Sequence, residues 1–307
     1  MIYAKYAYTI PEGKSIRVIT DTDAKNEADD QFAIAHALLT ARFDNRAIIA
    51  AHFGAEKSQT SMEDSYREIE KVLGLMRMDK GLALQGAPRA LPDDRTPVPS
   101  PGAQRIISEA LSDDPRPLYV TFLGPLTDLA SAFLMEPRIE NRLTAIWIGG
   151  GAYPHGGREY NLSNDIRAAN VVFRSRIPLW QVPLNVYRMV MVSLAELEVR
   201  VRPHGEIGRY LFEQLVACGH TEHSRRSPYR TGECWCLGDS PVVGLLLYEH
   251  DFDYNWTPAP EITSDMFYAH TGRSRPIRVY RAVDPRLILE DFYAKLALFA
   301  GRQEQNT

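Results

Sequence analysis

Short β-branched and apolar runs alternate along this chain with stretches whose apolar residues recur at helical spacing. The runs at 16–20, 47–51, 117–122, 143–148 and 177–182 are largely continuous rather than alternating, the pattern of strands covered on both faces. Helical spacing predicts helices over 30–40, 62–75, 103–111, 125–134 and 165–173. In 125–134, Pro125 suits a first helical turn, and Leu126, Leu129, Ala130, Phe133 and Leu134 form one apolar stripe. The 30–40 stretch is apolar nearly all round, with Phe32, Ile34, Leu38 and Leu39, which predicts a helix buried on several sides. Strand and helix in alternation predict an α/β fold, an open and mainly parallel Rossmann-like sheet flanked by helices.

The second half is less regular. Helices are expected at 206–218 and 241–248, a late strand at 276–283 and a closing helix at 285–299, with 302–307 as a frayed tail. Residues 219–238 are polar and broken, and read as a mobile loop. The expectation is a single α/β domain over 1–307.

Composition narrows the class. Hydrophobic residues make up 45% and charged residues 24% of 307, which is globular. Lys plus Arg is 35 against 39 Asp plus Glu, and the missing basic excess weighs against a nucleic-acid partner. No apolar run approaches the roughly 18 residues of a membrane span, and residues 1–20 lack a basic start followed by an apolar segment. Cys218, Cys234 and Cys236 are too few for a disulfide scaffold. The expectation is a soluble cytoplasmic protein.

Chemistry concentrates at strand ends. Asp21, Asp23, Asp29 and Asp30 lie between the first strand and the first helix, at the carboxyl edge where open α/β sheets bind ligands. A helix N-cap uses one carboxylate, not four. A hard divalent cation offsets such crowding, and oxygen ligands suit Ca²⁺ or Mg²⁺. Asp239 stands at a similar junction, before an apolar helix, and becomes a distant candidate ligand; alone it reads equally as an N-cap. A third group, Gly149-Gly150-Gly151 leading to Glu159-Tyr160-Asn161, follows another strand. In an extended segment Glu159 and Asn161 point the same way and can bond hydroxyls; the plainer reading is a turn with Asn164 or Asp165 capping the next helix.

At these places the sequence resembles the inosine–uridine-preferring nucleoside hydrolase family. The residues are Asp21-x-Asp23 followed by Asp29-Asp30, then Gly124-Pro125-Leu126-Thr127, Gly149-Gly150 leading to Glu159-Tyr160-Asn161, and Asp239, in the family's order over about 16–300. The resemblance implies Ca²⁺ held by Asp23, Asp30, Asp239 and the Leu123 carbonyl. It implies Asp29 as general base, Glu159 and Asn161 on the ribose, and Asp21 in support behind the site. The implied reaction is hydrolysis of a ribonucleoside N-glycosidic bond through an oxocarbenium-like ribosyl cation, the implied partner a small nucleoside or riboside, and the expected assembly a homo-oligomer, dimer or tetramer.

The sequence departs from the family pattern in four ways. Two extra residues and no glycine separate the acidic pairs. Gly238 replaces the His that many members carry before the late Asp. The ribose-binding Asn after the second strand is absent, with Asn26 or Glu56 as replacements. The segment between Gly151 and Glu159 is shortened and lacks its usual Asn. Within 219–238, His220, His223, Tyr229 and Arg230 are candidate proton donors, or the loop is merely solvated; Trp235 and Trp256 read equally as surfaces for stacking on a base and as packing. Alternatives are hydrolysis of another ribosyl compound, a ribose-binding protein that has lost turnover, and an Asp-x-Asp phosphatase.

Overall fold

The computed structural model describes residues 1–222, 225, 232–248, 252–272 and 275–304. Its strands in chain order are β1 (Ile16–Thr22), β2 (Phe43–Ala50), β3 (Ala83–Gln85), β4 (Leu118–Phe122), β5 (Thr144–Ile148), β6 (Leu179–Val182), β7 (Met191–Ser193), β8 (Cys234–Cys236), β9 (Tyr254–Pro258), β10 (Glu261–Ile262), β11 (Tyr268–Ala269) and β12 (Pro276–Tyr280). The helices are α1 (Asp30–Leu39), α2 (Ser61–Leu75), α3 (Pro101–Ala110), α4 (Thr127–Met135), α5 (Tyr160–Asn164), α6 (Ile166–Arg174), α7 (Leu184–Tyr187), α8 (Leu194–Arg200), α9 (Gly205–Gly219), α10 (Pro241–Leu247) and α11 (Pro285–Glu304).

Eight strands form the main sheet in the order β3-β2-β1-β4-β5-β6-β12-β9. All neighbours run parallel except β9, which pairs antiparallel with β12 at the edge. The chain winds outward from β1 to β3, then returns to place β4 on the other side of β1. That reversal opens a crevice at the carboxyl ends of β1 and β4, the ligand position of doubly wound sheets.

Both sheet faces are buried, as the continuous apolar runs required. Val18, Ile48 and Ile146 pack on one face with α1, α2 and α11. Their sequence neighbours Ile19, Ile49 and Trp147 pack on the other with α3, α4 and α6. Every residue of β1 and of α1 is buried. Among the described residues no helix is long and apolar enough to cross a membrane.

Several boundaries differ from the sequence reading. β1 extends through Asp21 and Thr22, because both pair with β2. Pro125 lies outside α4, whose cap is Leu126. The expected loop contains β8, whose Trp235 pairs with Val192 of β7, while His223, Tyr229 and Arg230 lie outside the described residues. The expected frayed tail is helical through Glu304.

Candidate functional site

β1 delivers Asp21 and Thr22 to the crevice, and the turn beyond it delivers Asp23. Within that turn Asn26 donates its amide N–H to the Asp23 carbonyl (2.8 Å). Asp29 occupies the N-cap position of α1, yet its side chain makes no capping hydrogen bond. Its carboxylate instead meets those of Asp30 and Asp239, all three having oxygens within 4.8 Å of one another. Asp239 arrives from the turn before α10, more than 200 residues downstream. Asp23, Asp30 and Asp239 are buried, and Asp29 is half-buried.

Burial and mutual repulsion govern this cluster. Burial raises Asp23 well above the usual carboxylate range, and Asp30 adds to the shift while Lys57 opposes it. Asp239 is raised by burial and by Asp29, Asp30 and Asp23. Asp30 is pushed up to about 7 by burial, although the Thr22 hydroxyl donates to it. Oδ2 of Asp23 is buried with no hydrogen-bond partner. Oxygens sharing Ca²⁺ at about 2.4 Å lie at most about 4.8 Å apart, a spacing met by Asp29, Asp30 and Asp239; Asp23, expected as a ligand, stands outside that converging set with its unpartnered oxygen.

The β4 end closes the crevice. Gly124 approaches Asp23 so nearly that a Cβ there would stand 3.1 Å from the Asp23 Cγ. The Leu123 carbonyl, an expected metal ligand, accepts from Asn161 Nδ2 at 2.7 Å. Behind the site, Asp21 has both carboxylate oxygens buried without a partner. It is raised by burial and by Asp128 of α4.

The Glu159–Asn161 pair differs from its expected form. Only Glu159 is extended; it caps α5, and Asn161 lies inside that helix. The Glu159 carboxylate accepts from the N–H groups of Gly150 (2.9 Å), Asn161 (3.1 Å) and Leu162 (2.9 Å) and from the Tyr187 hydroxyl (2.9 Å). The second Asn161 amide proton goes to the Ile148 carbonyl at 2.9 Å. These side chains therefore fasten the ends of β4 and β5. Gly150 makes this possible at φ +80°, with no room for a Cβ beside the Tyr268 hydroxyl. Asp165 caps α6, as one of the plainer readings expected.

Trp235, a candidate stacking surface, is 5% exposed and belongs to the core beneath β8. Its alternation with the half-buried Cys234 and Cys236 turns the indole inward. Trp256 is exposed on the edge strand β9, beside the Arg278 guanidinium. His220 is exposed at the end of α9. His36 is buried and bonded to Asp291 at 2.7 Å, a core role.

Asn26 accepts from Lys57 Nζ, which also lies 4.4 Å from the centre of the Tyr160 ring. Lys57 was not singled out in the sequence; its only signal was a positive charge two residues from an expected ligand-binding step. Tyr187 was also missed, because an aromatic residue after an apolar strand reads as packing.

A family model described as inosine-uridine preferring nucleoside hydrolase matches residues 18–287. The pyrimidine-specific ribonucleoside hydrolase RihA of Salmonella arizonae is 24% identical over 209 residues, covering 60% of this chain and 65% of that protein. The chain thus spans just under two thirds of that relative's length. A purine-preferring ribonucleoside hydrolase from Gardnerella vaginalis has a similar structure, with a TM-score of 0.75 at 18% identity, covering 92% of this chain and 99% of that one. The type III effector protein XopQ, complexed with adenosine diphosphate ribose, superposes with a TM-score of 0.66 at 15% identity, covering 94% and 95%. At these identities the structural likeness establishes the fold.

Proposed function

The chain belongs to the inosine–uridine preferring nucleoside hydrolase family, and on that premise we propose that it cleaves the N-glycosidic bond of ribonucleosides to ribose and free base, with Ca²⁺ as cofactor. The observation that carries this reading is the convergence of Asp29, Asp30 and Asp239 beside Asp23 at the switch point of the sheet. In this reading Asp23, Asp30, Asp239 and the second lone pair of the Leu123 carbonyl hold the cation. The cation supplies charge neutralisation and an anchor for a ribose diol.

Asp29 is the base. It is the least buried of the four acids, and its carboxylate turns to the cluster rather than capping α1. It takes the proton of the attacking water as that oxygen bonds to C1′. Positive charge develops on the ribosyl ring as the bond to the base lengthens, and fixed carboxylates nearby stabilise it. Glu159 and Asn161 keep the β4 and β5 ends rigid around the sugar, so that C1′ stays within reach of Asp29.

The test is a panel of inosine, uridine, cytidine and adenosine, with release of free base followed chromatographically. Chelator should abolish release, and added Ca²⁺ should restore it. Absence of release from every nucleoside with Ca²⁺ present would reject the reading. Hydrolysis of another ribosyl compound is the second reading, favoured by the glycine at 238, which itself carries no proton donor.

A further inference from the structure

The turn 24–28 joins Asp23 to Asp29 and Asp30, and it carries the two extra residues that separate the acidic pairs. A longer link has more conformations to lose, and the places of three carboxylates depend on the path it takes. Its contacts show what holds that path. The Ala24 carbonyl accepts from Gln31 Nε2 at 2.6 Å, and the Ala28 carbonyl accepts from Gln214 Nε2 of α9 at 2.8 Å. Lys57 donates to the Asn26 side chain. Lys25 Nζ donates to Oε2 of Glu68 at 3.0 Å.

Glu68 lies on α2 and is 4% exposed. Besides Lys25, its carboxylate accepts from Gln31 Nε2 (3.1 Å) and from the Tyr210 hydroxyl of α9. Gln31 directly follows Asp30, so its amide ties Glu68 both to the first turn of α1 and to the Ala24 carbonyl. One buried carboxylate therefore gathers the 24–28 turn, α1 and α9. The helix that carries it is anchored separately, because Met62, Ile69, Val72 and Leu73 of α2 pack in the core. Glu68 is a polar hub set beside that apolar stripe, and its bonds reach toward the acids.

Resting on the cation-dependent function proposed above, we propose that Glu68 is a positioning residue for the acidic centre. It acts through the turn rather than on the cation. By fixing the path of residues 24–28 it sets the place of Asp23 and the convergence of Asp29 and Asp30 with Asp239. Removing its carboxylate releases Lys25, Gln31 and Tyr210 together. The turn then takes other paths, and the acids must be gathered again each time a cation binds. Apparent affinity falls by the fraction of time that the gathered form persists.

The experiment titrates Ca²⁺ calorimetrically into chelator-treated wild type, Glu68→Ala, Glu68→Gln and Val72→Ala, with urea melts of the same proteins. Groups that orient metal ligands typically contribute about 10–100-fold to affinity. Glu68 stands one step behind such groups, so Glu68→Ala should bind Ca²⁺ about tenfold more weakly. Glu68→Gln keeps the size and one accepting oxygen; it should lose about fivefold, and it carries the test should Glu68→Ala fold poorly. Val72 is wholly buried on the same helix, so Val72→Ala loosens α2 without touching the hub. Its Ca²⁺ affinity should stay within about threefold of wild type although its stability falls. A folded Glu68 variant that binds Ca²⁺ within about threefold of wild type would overturn the proposal and leave the hydrolase reading standing. An equal loss of affinity in Val72→Ala would trace the effect to general loosening of α2, and would overturn it too. A wild type that binds no Ca²⁺ would overturn the cation-dependent reading itself, and this one with it.

Discussion

Glu159 separates a structural part from a ligand-binding one. The resemblance implies that it holds ribose, whereas its four hydrogen bonds make it a buried fastener between Gly150, α5 and Tyr187. Glu159→Ala removes an N-cap, worth about 1 kcal/mol. It also leaves the buried Gly150 N–H and the Tyr187 hydroxyl without their acceptor, at about 1–3 kcal/mol each. Relief of the buried charge, which raises Glu159 above the usual carboxylate range, offsets part of this. The expected loss is about 3 kcal/mol, or roughly 5 °C in Tm for a chain of this length. Glu159→Gln turns one accepting oxygen into a donor and should lose about half as much. Calorimetric melts give the stability, and KM for the best nucleoside gives the binding term. If Glu159→Ala melts within about 1 °C of wild type while KM rises steeply, Glu159 is a substrate ligand and its role as a fastener is wrong.

Other perturbations separate the remaining roles. Asp29→Asn should retain the cation while kcat falls about 10²–10⁴-fold; turnover near wild type by this variant would remove Asp29 as base. Trp235→Phe should cost about 1–2 kcal/mol of stability and leave KM unchanged, because the indole is core; a raised KM without loss of stability would restore it to the site. His52 is buried on the Thr127 hydroxyl, and burial pushes it down to about 4. Between its unfolded value near 6.5 and about 4, only the unfolded chain binds the proton, so stability is complete above 6.5 and falls as pH drops through that window. His52→Gln should flatten urea-derived stability between pH 7 and pH 5 by about one proton, or about 1.4 kcal/mol per pH unit at its steepest; an unchanged slope would refute this origin.

The sheet was legible because strands covered on both faces leave continuous apolar runs, as at 16–20 and 143–148. The acidic centre was legible because four carboxylates exceed what one cap uses. What escaped the sequence was directional. Glu159 and Asn161 suit hydroxyl binding by residue type, and only the start of α5 between them reveals that their polar atoms are spent on backbone groups. For Trp235 the sequence leaves stacking and packing equal, because the polar stretch around it conceals a three-residue strand paired with β7. Lys57 comes from a loop and Tyr187 from the end of the short α7, and local pattern does not encode the paths that bring them to Asn26 and Glu159.

Calorimetric titration of Ca²⁺ into chelator-treated protein, with nucleoside turnover measured on the same samples, tests the acidic centre most directly. Wild type should bind one Ca²⁺ per chain, and activity should rise in step with occupancy. Asp30→Ala, which removes one of the three converging carboxylates, should show neither binding nor turnover. Full turnover without Ca²⁺, or unchanged Ca²⁺ binding by Asp30→Ala, would contradict a cation-dependent hydrolase built on Asp23, Asp29, Asp30 and Asp239.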